Sequence, residues 1–330
     1  MTARVVSPGL LTTVQDIGRI GHQRVGIPVS GAMDRVALRI GNLLLGNDER
    51  AAGLEMTIVA PSLAFESDAL FAIAGPDWGA VLDDQPIPSW HATFAPRGAT
   101  LKFHGAPAGC RAYLALGGGI DVPPVLGSRS TYLRAAFGGH EGRTLRIGDV
   151  LQCGLSSSLS RRITQSIQGR PSTVARWSVG PSLRPAYRNE ATISLLPGTH
   201  TGYLTADARR RLFDEEFRIS TQSDRMGYRL TGPTLELQAP LELLSEGVAF
   251  GTVQLPPGGS PIVLMADGQT TGGYPRIGEV ASVDLPALAQ LRPGDRVRFT
   301  PISLADAQRR YVEREQEIAQ LRKAIELRHP

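Results

Sequence analysis

Short apolar runs, each bounded by glycine, proline or aspartate, are the feature of this sequence that most limits its fold. They occur at residues 63–65, 70–74, 100–103, 111–116, 191–196 and 261–265. Runs of this length between turn-forming residues are typical of β-strands in a barrel or a sandwich rather than in a doubly wound sheet. The sequence therefore predicts a mainly β protein with a few helices.

Three segments have apolar residues at helical spacing: residues 34–45, 205–217 and 304–327. Between the two strand-rich halves, the serines and prolines of residues 155–173 interrupt any periodicity, which is typical of a linker. We therefore expect an N-terminal β-rich domain over residues 1–155 and a second β-rich domain over residues 175–302. Residues 303–330 are expected to form a helix that packs on the body or on a partner.

The two halves contain similar short motifs in the same order. Residues 30–34 are echoed at 223–227, residues 111–119 at 261–268, and Arg-Ile-Gly-Asp at 146–149 by Arg-Pro-Gly-Asp at 292–295. The order is kept although the spacing is not, which favours a divergent internal duplication. Chance matches among glycine-rich turns are the alternative.

Charge and motif content argue against several classes of protein. The 35 basic and 31 acidic residues give a net charge of only +4, without a basic run that would follow a nucleic-acid backbone. Cys110 and Cys153 lie in unrelated segments and the six histidines lack metal-ligand spacing, so neither a disulfide nor a zinc site is indicated. A P-loop, a Gly-x-Ser-x-Gly motif and a His-Glu-x-x-His motif are absent from the sequence.

The sequence also indicates where the protein resides. The N-terminal residues have no apolar core of signal-peptide length, and no stretch reaches the ~18 apolar residues of a membrane span. We therefore expect a cytoplasmic protein that contacts neither membrane nor nucleic acid.

The densest polar loop covers residues 265–276 and follows an apolar strand. Gln269, Thr270, Thr271 and Tyr274 supply neutral donors and acceptors, which suit a small amide or carboxylate substrate. Glycines within the loop allow its backbone to approach a ligand closely. A hairpin turn without a ligand is the alternative.

Three further loops contain candidate residues. In residues 125–132, Arg129 among hydroxyl side chains could bind a carboxylate or a phosphate, or simply pair with a neighbouring acid. Asp34 is either a proton-transfer group or an acid at the start of the helix that it opens. An Asp224–Arg225 pair in residues 223–228 is more often structural than catalytic.

Several longer motifs together resemble one protein family. They are residues 12–18 (Thr-Thr-Val-Gln-Asp-Ile-Gly), 26–34, 125–132, 139–149, 223–230, 245–248, 261–276 and 292–295. At these segments the chain closely resembles the KipA family, which is also called allophanate hydrolase subunit 2 or the biotin-dependent carboxyltransferase family. The resemblance covers roughly residues 4 to 302 and implies a β-rich fold with two cyclophilin-like, barrel-type domains.

The resemblance implies three possible roles. Many members look like the C-subunit of an ATP-dependent 5-oxoprolinase, which opens 5-oxo-L-proline to L-glutamate together with two partner subunits, one KipI-like and one LamB/YcsF-like. Others resemble half of the carboxyltransferase of a biotin-dependent urea or amide carboxylase. A third role is a non-catalytic regulator that binds a KipI-like kinase inhibitor.

The residues narrow this choice. Lys102 and Lys323 are the two lysines, and neither stands in the Met-Lys-Met context of biotin attachment, so we expect no biotin on this chain. Opening a lactam needs an activated amide, and ATP would activate it at a location that the sequence does not indicate. A multi-subunit 5-oxoprolinase therefore fits best, and the isolated chain is expected to be inactive.

The predicted site residues fall into two groups. The catalytic candidates are Gln269, Thr271, Tyr274, Asp34 and Asp224. The substrate-binding candidates are Arg129, Ser128, Thr131, Thr270, Gln254 and Arg225, and the loops around Arg129 and Gln269 are expected to open on one cleft. No metal ligand is predicted.

Overall fold

The computed structural model describes residues 1–105, 108–170 and 173–330. Its contacts divide the chain into two compact units, each discontinuous in sequence. Unit 1 comprises Met1–Arg19, Asp34–Tyr187 and Glu315–Pro330, and unit 2 comprises Ile20–Met33 and Arg188–Arg314. The sequence-based domains, by contrast, are continuous stretches.

Unit 1 is built from two antiparallel sheets. The six-stranded sheet has the order β11-β1-β4-β9-β6-β7, and the five-stranded sheet has the order β2-β3-β10-β5-β8. Their strands are β1 (Thr2–Ser7), β2 (Leu11–Gln15), β3 (Gly53–Thr57), β4 (Ser62–Phe65), β5 (Ala69–Ala74), β6 (Ala80–Leu82), β7 (Gln85–Pro86), β8 (Ala92–Ala95), β9 (Thr100–Phe103), β10 (Arg111–Leu116) and β11 (Val150–Gln152).

Alternation along the five-stranded sheet sends apolar and polar side chains to opposite faces. Leu54 of β3 and Leu114 of β10 are fully buried in the core of unit 1. Glu55 and Tyr113, which are cross-strand partners on the other face, are also buried and form a polar cluster. This sheet therefore buries both faces, and its strand β5 is accordingly apolar along its whole length.

Two helices belong to unit 1, α1 (Arg35–Leu44) and α2 (Ser158–Ile167). The second lies in the segment that the sequence predicts to be a linker, so that prediction is wrong for residues 158–167; residues 171 and 172 lie outside the described residues. Ser157 caps this helix by accepting a hydrogen bond from Ser160 N at 2.9 Å. Ile163 and Ile167, one turn apart, are buried, and their packing outweighs the weak helix propensity of the serines.

Unit 2 contains a closed barrel of seven strands in the order β12-β19-β16-β17-β14-β13-β20. Parallel pairing of β12 with β20, from Glu190↔Arg296 to Leu195↔Pro301, closes it. The strands of unit 2 are β12 (Glu190–Pro197), β13 (Phe217–Ile219), β14 (Gly227–Thr231), β15 (Glu246–Gly247), β16 (Thr252–Gln254), β17 (Ile262–Leu264), β18 (Thr271–Gly272), β19 (Arg276–Val280) and β20 (Arg296–Pro301). Strands β15 and β18 pair with each other as a separate two-stranded ribbon.

Helices α3 (Ala206–Asp214) and α4 (Leu285–Ala289) belong to unit 2, and α5 (Leu304–Arg328) is the C-terminal helix. The prediction of a mainly β fold with a barrel and a C-terminal helix is confirmed, although the strands of unit 1 form two sheets. The helix predicted at residues 205–217 ends at Asp214, because Phe217 begins β13. Among the described residues, no helix combines the length and the apolar character needed to cross a membrane.

A four-residue turn precedes β11 in unit 1. The Arg146 backbone N–H donates to the Asp149 carboxylate at 2.7 Å, and Gly148 N donates to Val5 O at 2.8 Å. Val5 N in turn donates to Asp149 O at 2.9 Å. The turn requires φ of +89° at Gly148, a conformation that favours glycine.

The turn before β20 in unit 2 repeats this arrangement. Arg292 N donates to the Asp295 carboxylate at 2.8 Å, and Gly294 N donates to Ile219 O at 2.8 Å with φ of +92°. Ile219 N returns a hydrogen bond to Asp295 O at 3.0 Å. The two motifs that the sequence pairs as an echo therefore have the same hydrogen-bond pattern, which supports an internal duplication.

Candidate functional site

Two glutamine side chains meet at the barrel of unit 2. Gln254, on β16, is 1% exposed, and its Oε1 accepts a hydrogen bond from Gln269 Nε2 at 3.3 Å. Gln254 Nε2 is buried and has no hydrogen-bond partner among the described residues. Gly272 lies directly against this amide, since a Cβ at that position would be 2.3 Å from Nε2. The sequence-predicted residues Gln254 and Gln269 are thus brought together, and the buried donor of Gln254 has no partner among the described residues.

Strand β19 places two charged side chains beside this amide pair. Arg276 is the cross-strand partner of Gln254, and Glu279 is the partner of Thr252. Thr252 Oγ1 donates to the Glu279 carboxylate at 2.9 Å, and burial raises the pKa of Glu279. Arg276 Nη2 donates to Glu246 Oε2 at 2.7 Å. Glu279 is absent from the sequence-predicted site, and a lone acid in a strand was its only signal.

His200 lies next to the start of β19. Its Nδ1 accepts a hydrogen bond from Arg276 N at 3.1 Å and lies 3.1 Å from the Thr199 hydroxyl. Because a backbone N–H donates to Nδ1, the neutral ring carries its proton on Nε2. His200 N also donates to Arg276 O at 2.9 Å, so this histidine anchors the backbone of the site.

The other candidates of the 265–276 loop have different surroundings. Thr271 is exposed on β18 and pairs with Gly247, and Thr270 O accepts a hydrogen bond from Val248 N at 3.0 Å. Tyr274 is 44% exposed and lines a cavity of about 740 Å³. Most of the cavity wall comes from leucine, proline and glycine residues of segments 234–243 and 255–259. Tyr274 therefore faces an open cavity of the size that holds small ligands.

The 265–276 loop is anchored at its start by a buried ion pair. Arg225 donates to both carboxylate oxygens of Asp267, at 2.8 and 3.1 Å, and also to Gly31 O at 2.7 Å. The prediction that Arg225 pairs with Asp224 is wrong, because Asp224 instead accepts hydrogen bonds from Met226 N and Gly227 N. Because residues 224–227 form a tight turn, the side chains of Asp224 and Arg225 contact different partners.

In unit 1, the 125–132 loop is organised around Asp16. The carboxylate accepts hydrogen bonds from Ser128 Oγ at 2.7 Å, Arg129 N at 2.6 Å and Gly18 N at 2.8 Å. Ser128 is buried by these contacts. The guanidinium of Arg129 donates to Val122 O at 2.9 Å and to Asp121 at 3.3 Å, and 41% of the side chain is exposed.

Thr131 is buried, and its hydroxyl donates to Val14 O at 3.0 Å. Its carbonyl accepts from Gln15 Nε2 at 3.1 Å. These contacts tie the loop to the edge strand β2 and direct the threonine hydroxyl to the backbone of its own unit. The role of Thr131 in substrate binding stays a prediction.

Asp34 is fully buried and caps helix α1 by accepting a hydrogen bond from Ala37 N at 2.9 Å. Its backbone N–H donates to Tyr113 Oη, and that hydroxyl donates to Glu55 Oε2, each at 2.7 Å. Burial, together with the nearby carboxylates of Glu55 and Asp34, raises the pKa of Tyr113. Asp34 therefore has the structural role that the sequence offered as one of two possibilities, and a role in proton transfer stays a prediction.

Arg129 belongs to unit 1 and Gln269 to unit 2. The expectation that their loops open on one cleft stays a prediction. Within unit 2, the residues that present groups suited to a ligand are Gln254, Gln269, Glu279 and Tyr274.

The comparisons with known proteins agree with this description. A family model described as carboxyltransferase domain, subdomain A and B, matches residues 25–301. The chain is 39% identical to the 5-oxoprolinase C-subunit of Haemophilus influenzae over 315 residues, which cover 95% of this chain and 96% of that protein. It is 41% identical to the 5-oxoprolinase C-subunit of Escherichia coli over 318 residues, with coverage of 94% and 96%.

A solved structure, that of the K. lactis urea amidolyase, matches with a TM-score of 0.87 and 30% identity. The match covers 97% of this chain and 20% of that longer protein. The family resemblance that the sequence motifs indicated is thereby confirmed. The barrel and sheets described above are therefore those of a carboxyltransferase domain, and the chain belongs to the family of carboxyltransferase domains with subdomains A and B.

Proposed function

We propose that this chain is the C-subunit of a multi-subunit, ATP-dependent 5-oxoprolinase, which opens 5-oxo-L-proline to L-glutamate. The observation that supports this most directly is the nearly full-length similarity, at 39% and 41% identity, to two proteins named as the C-subunit of 5-oxoprolinase. Both alignments cover 96% of the relative, so the similarity extends over nearly the full length of each named subunit.

The chemistry of unit 2 supports an amide substrate. The buried Nε2 of Gln254, which has no partner among the described residues, can donate to a carbonyl or a carboxylate oxygen, and 5-oxo-L-proline carries both. Gln269 Nε2 donates a hydrogen bond to Gln254 Oε1 and so holds the Gln254 amide in place. In this proposal Thr270, Thr271 and Tyr274 complete the binding of the lactam, and Arg129 is a binding residue for a carboxylate or a phosphate.

The proposed reaction needs more than this chain. Hydrolysis of the lactam is driven by ATP, which acts in the assembled complex. A KipI-like protein and a LamB/YcsF-like protein are the proposed partners, and the chain alone is expected to lack activity. We further propose that the complex is cytoplasmic and that no biotin is attached to this chain.

Reconstitution tests the proposal. The chain is copurified with a KipI-like and a LamB/YcsF-like protein, and ATP hydrolysis and glutamate formation are measured with and without 5-oxo-L-proline. We expect ATP hydrolysis that depends on the lactam and matches glutamate formation one to one. Assembly of the complex without turnover would contradict the proposal and favour a regulator that binds a KipI-like partner.

The K. lactis urea amidolyase match, with its TM-score of 0.87, supports a second candidate. In that case the chain is the carboxyltransferase half of a biotin-dependent urea or amide carboxylase. Transfer of labelled carboxyl from a separately supplied biotinylated carrier to urea, in the presence of a KipI-like half, distinguishes this function from lactam opening.

A further inference from the structure

One face of the barrel in unit 2 gathers polar side chains from two neighbouring strands. Val253 and Ile277 point into the core and are fully buried. Thr252 and Gln254 alternate with Val253, and on β19 the partners of these two residues are Glu279 and Arg276. The polar groups therefore lie on the outer face of the barrel, next to the Thr271–Gly272 strand.

Two groups on this face have capacity left for a ligand. Gln254 Nε2 is a donor that is buried without a partner among the described residues, although a buried amide group ordinarily finds an acceptor. The Glu279 carboxylate is half-buried and accepts hydrogen bonds from Thr252 Oγ1 at 2.9 and 3.1 Å. A carboxyl group can form more hydrogen bonds than those with the Thr252 hydroxyl, so Glu279 can also contact a ligand.

The two groups are within reach of one small molecule. Gln254 and Glu279 are diagonal neighbours on an antiparallel pair with an irregular register, and such neighbours are separated by about 7–8 Å. Their side chains are long enough to converge on one small amide. A lactam presents its carbonyl oxygen and its N–H side by side on one edge, which match a donor amide and a carboxyl group that converge on that edge.

We propose that Glu279 is a catalytic residue, which contacts the nitrogen of an amide whose carbonyl oxygen is held by Gln254, and gives that nitrogen a proton when the ring opens. This inference rests on the proposed function, because it assigns a residue to the lactam-opening step.

The proposed reaction begins when the carbonyl oxygen of the lactam takes the terminal phosphoryl group of a nucleoside triphosphate and the nucleoside diphosphate leaves. The oxygen of a water molecule then bonds to the carbonyl carbon, the carbon–nitrogen bond breaks, and its electron pair remains on nitrogen. Glu279 gives that nitrogen a proton, and the proton released by the water restores the acid. A second water molecule cleaves the resulting acyl phosphate, which yields the carboxylate and inorganic phosphate.

The surroundings of Glu279 suit an acid. Burial raises its pKa, and the Thr252 hydroxyl and the charge of Arg276 oppose this shift. Arg276 is paired with Glu246 of β15, and the nearby His200 accepts a hydrogen bond from the Arg276 backbone. The residues of β16 opposite Glu279 are uncharged, as is Leu196, its partner on β12.

Kinetics of the reconstituted complex test the role. Glu279→Gln is expected to lower kcat by at least a hundredfold and to change KM by less than threefold, because general acids contribute roughly 10²–10⁴ to a rate. The wild-type kcat should fall as pH rises through the pKa of Glu279. Thr252→Val removes a donor to the ionised carboxylate and should move this decline to higher pH. Unchanged kcat in Glu279→Gln, or an unmoved decline in Thr252→Val, would overturn the assignment.

A binding measurement separates this inference from the proposed function. The assembled complex is titrated with 2-pyrrolidinone, a lactam without a carboxylate, by calorimetry. Gln254→Ala and Glu279→Ala are each expected to weaken binding at least tenfold, and the control Gln222→Ala should leave it unchanged. If binding follows this pattern while 5-oxo-L-proline is not turned over, the substrate assignment fails and the ligand site stands. If Glu279→Ala binds the lactam as the wild type does, the inference fails whatever the complex hydrolyses.

Discussion

Gly272 lies so close to Gln254 that a methyl group on its Cα would stand 2.3 Å from the Nε2 of the buried amide. Its backbone is not in the left-handed region, so the glycine is needed for close approach and not for conformation. The Gln254 donor is therefore positioned by the absence of a side chain above it.

Gly272→Ala is expected to displace the Gln254 side chain and to reduce turnover of the complex by tenfold or more. The new methyl group meets the end of a side chain, which can move, so the chain should still fold and assemble. Gly202→Ala is the control, because a Cβ at that position would meet nothing within 4 Å. Steady-state kinetics and thermal unfolding of both variants check this, and equal activities would contradict it.

Gln269→Ala removes the donor to Gln254 Oε1. A buried acceptor left without its partner costs about 1–3 kcal/mol, and 1.4 kcal/mol corresponds to about one decade in rate. We expect turnover to fall roughly tenfold, with assembly retained. Gln222→Ala, an exposed glutamine of the same unit, should behave like the wild type. A Gln269 variant with full activity would show that the 265–276 loop is a structural turn.

Arg129→Ala is expected to lower turnover by about tenfold, because loss of a charged hydrogen-bond partner costs about 1.5–3 kcal/mol. In the structure its guanidinium is held by Val122 O and Asp121, which orient it while 41% of the side chain stays exposed. Asp121→Ala removes the acid and keeps the arginine, so it should raise KM more than it lowers kcat. Normal kinetics in Arg129→Ala would leave the ion pair with a structural role alone.

Asp149 and Asp295 occupy the same position in the two repeated turns, and we expect their ionisation to change the free energy of unfolding in opposite directions. Hydrogen bonds from Arg143 lower the pKa of Asp149 to about 2, whereas burial raises the pKa of Asp295. The Asp149 contribution is present above its unfolded value of 3.8 and is lost as pH falls through about 2. After allowance for screening by solvent, the contribution of Asp149 to the free energy of unfolding is about 1–2 kcal/mol.

Ionisation of Asp149 raises the free energy of unfolding as pH increases from 2 to 5. Asp149→Asn should therefore make this increase smaller. Asp295→Asn should make it larger, because ionisation of Asp295 is disfavoured in the folded state. Urea unfolding at the two pH values measures both changes. The same sign in both variants would contradict the assigned causes.

Local patterns in the sequence predict six of the strands, β4, β5, β9, β10, β12 and β17, because each is a short apolar run between turn-forming residues. The role of the polar loop after β17 as a site stays a prediction, and the structure places its Gln269 against Gln254. Glu279 was missed since its significance depends on Thr252, which lies 27 residues away and opposite it on β16. Cross-strand partners are determined by the register of the two strands. Register depends on the packing of the whole sheet and cannot be read from the residues next to Glu279 in sequence.

The partner of Arg225 illustrates the same limit. Asp224 is adjacent in sequence and Asp267 is 42 residues away, yet the buried ion pair forms with Asp267. The carboxylate of Asp224 is used instead by the backbone of its own turn. Adjacency in sequence predicts a contact only when both side chains project the same way, and the turn prevents this.

The turns before β11 and β20 make the same backbone hydrogen bonds, each within its own unit. Val5 corresponds to Ile219, so β1 matches β13, and both pair antiparallel with the strand that follows the turn. The backbone of the turn has been retained in both copies, while the ionisation of its aspartate has moved in opposite directions. The same turn backbone can therefore hold its aspartate in either electrostatic environment, and side chains outside the repeated motif, such as Arg143 beside Asp149, decide which one it has.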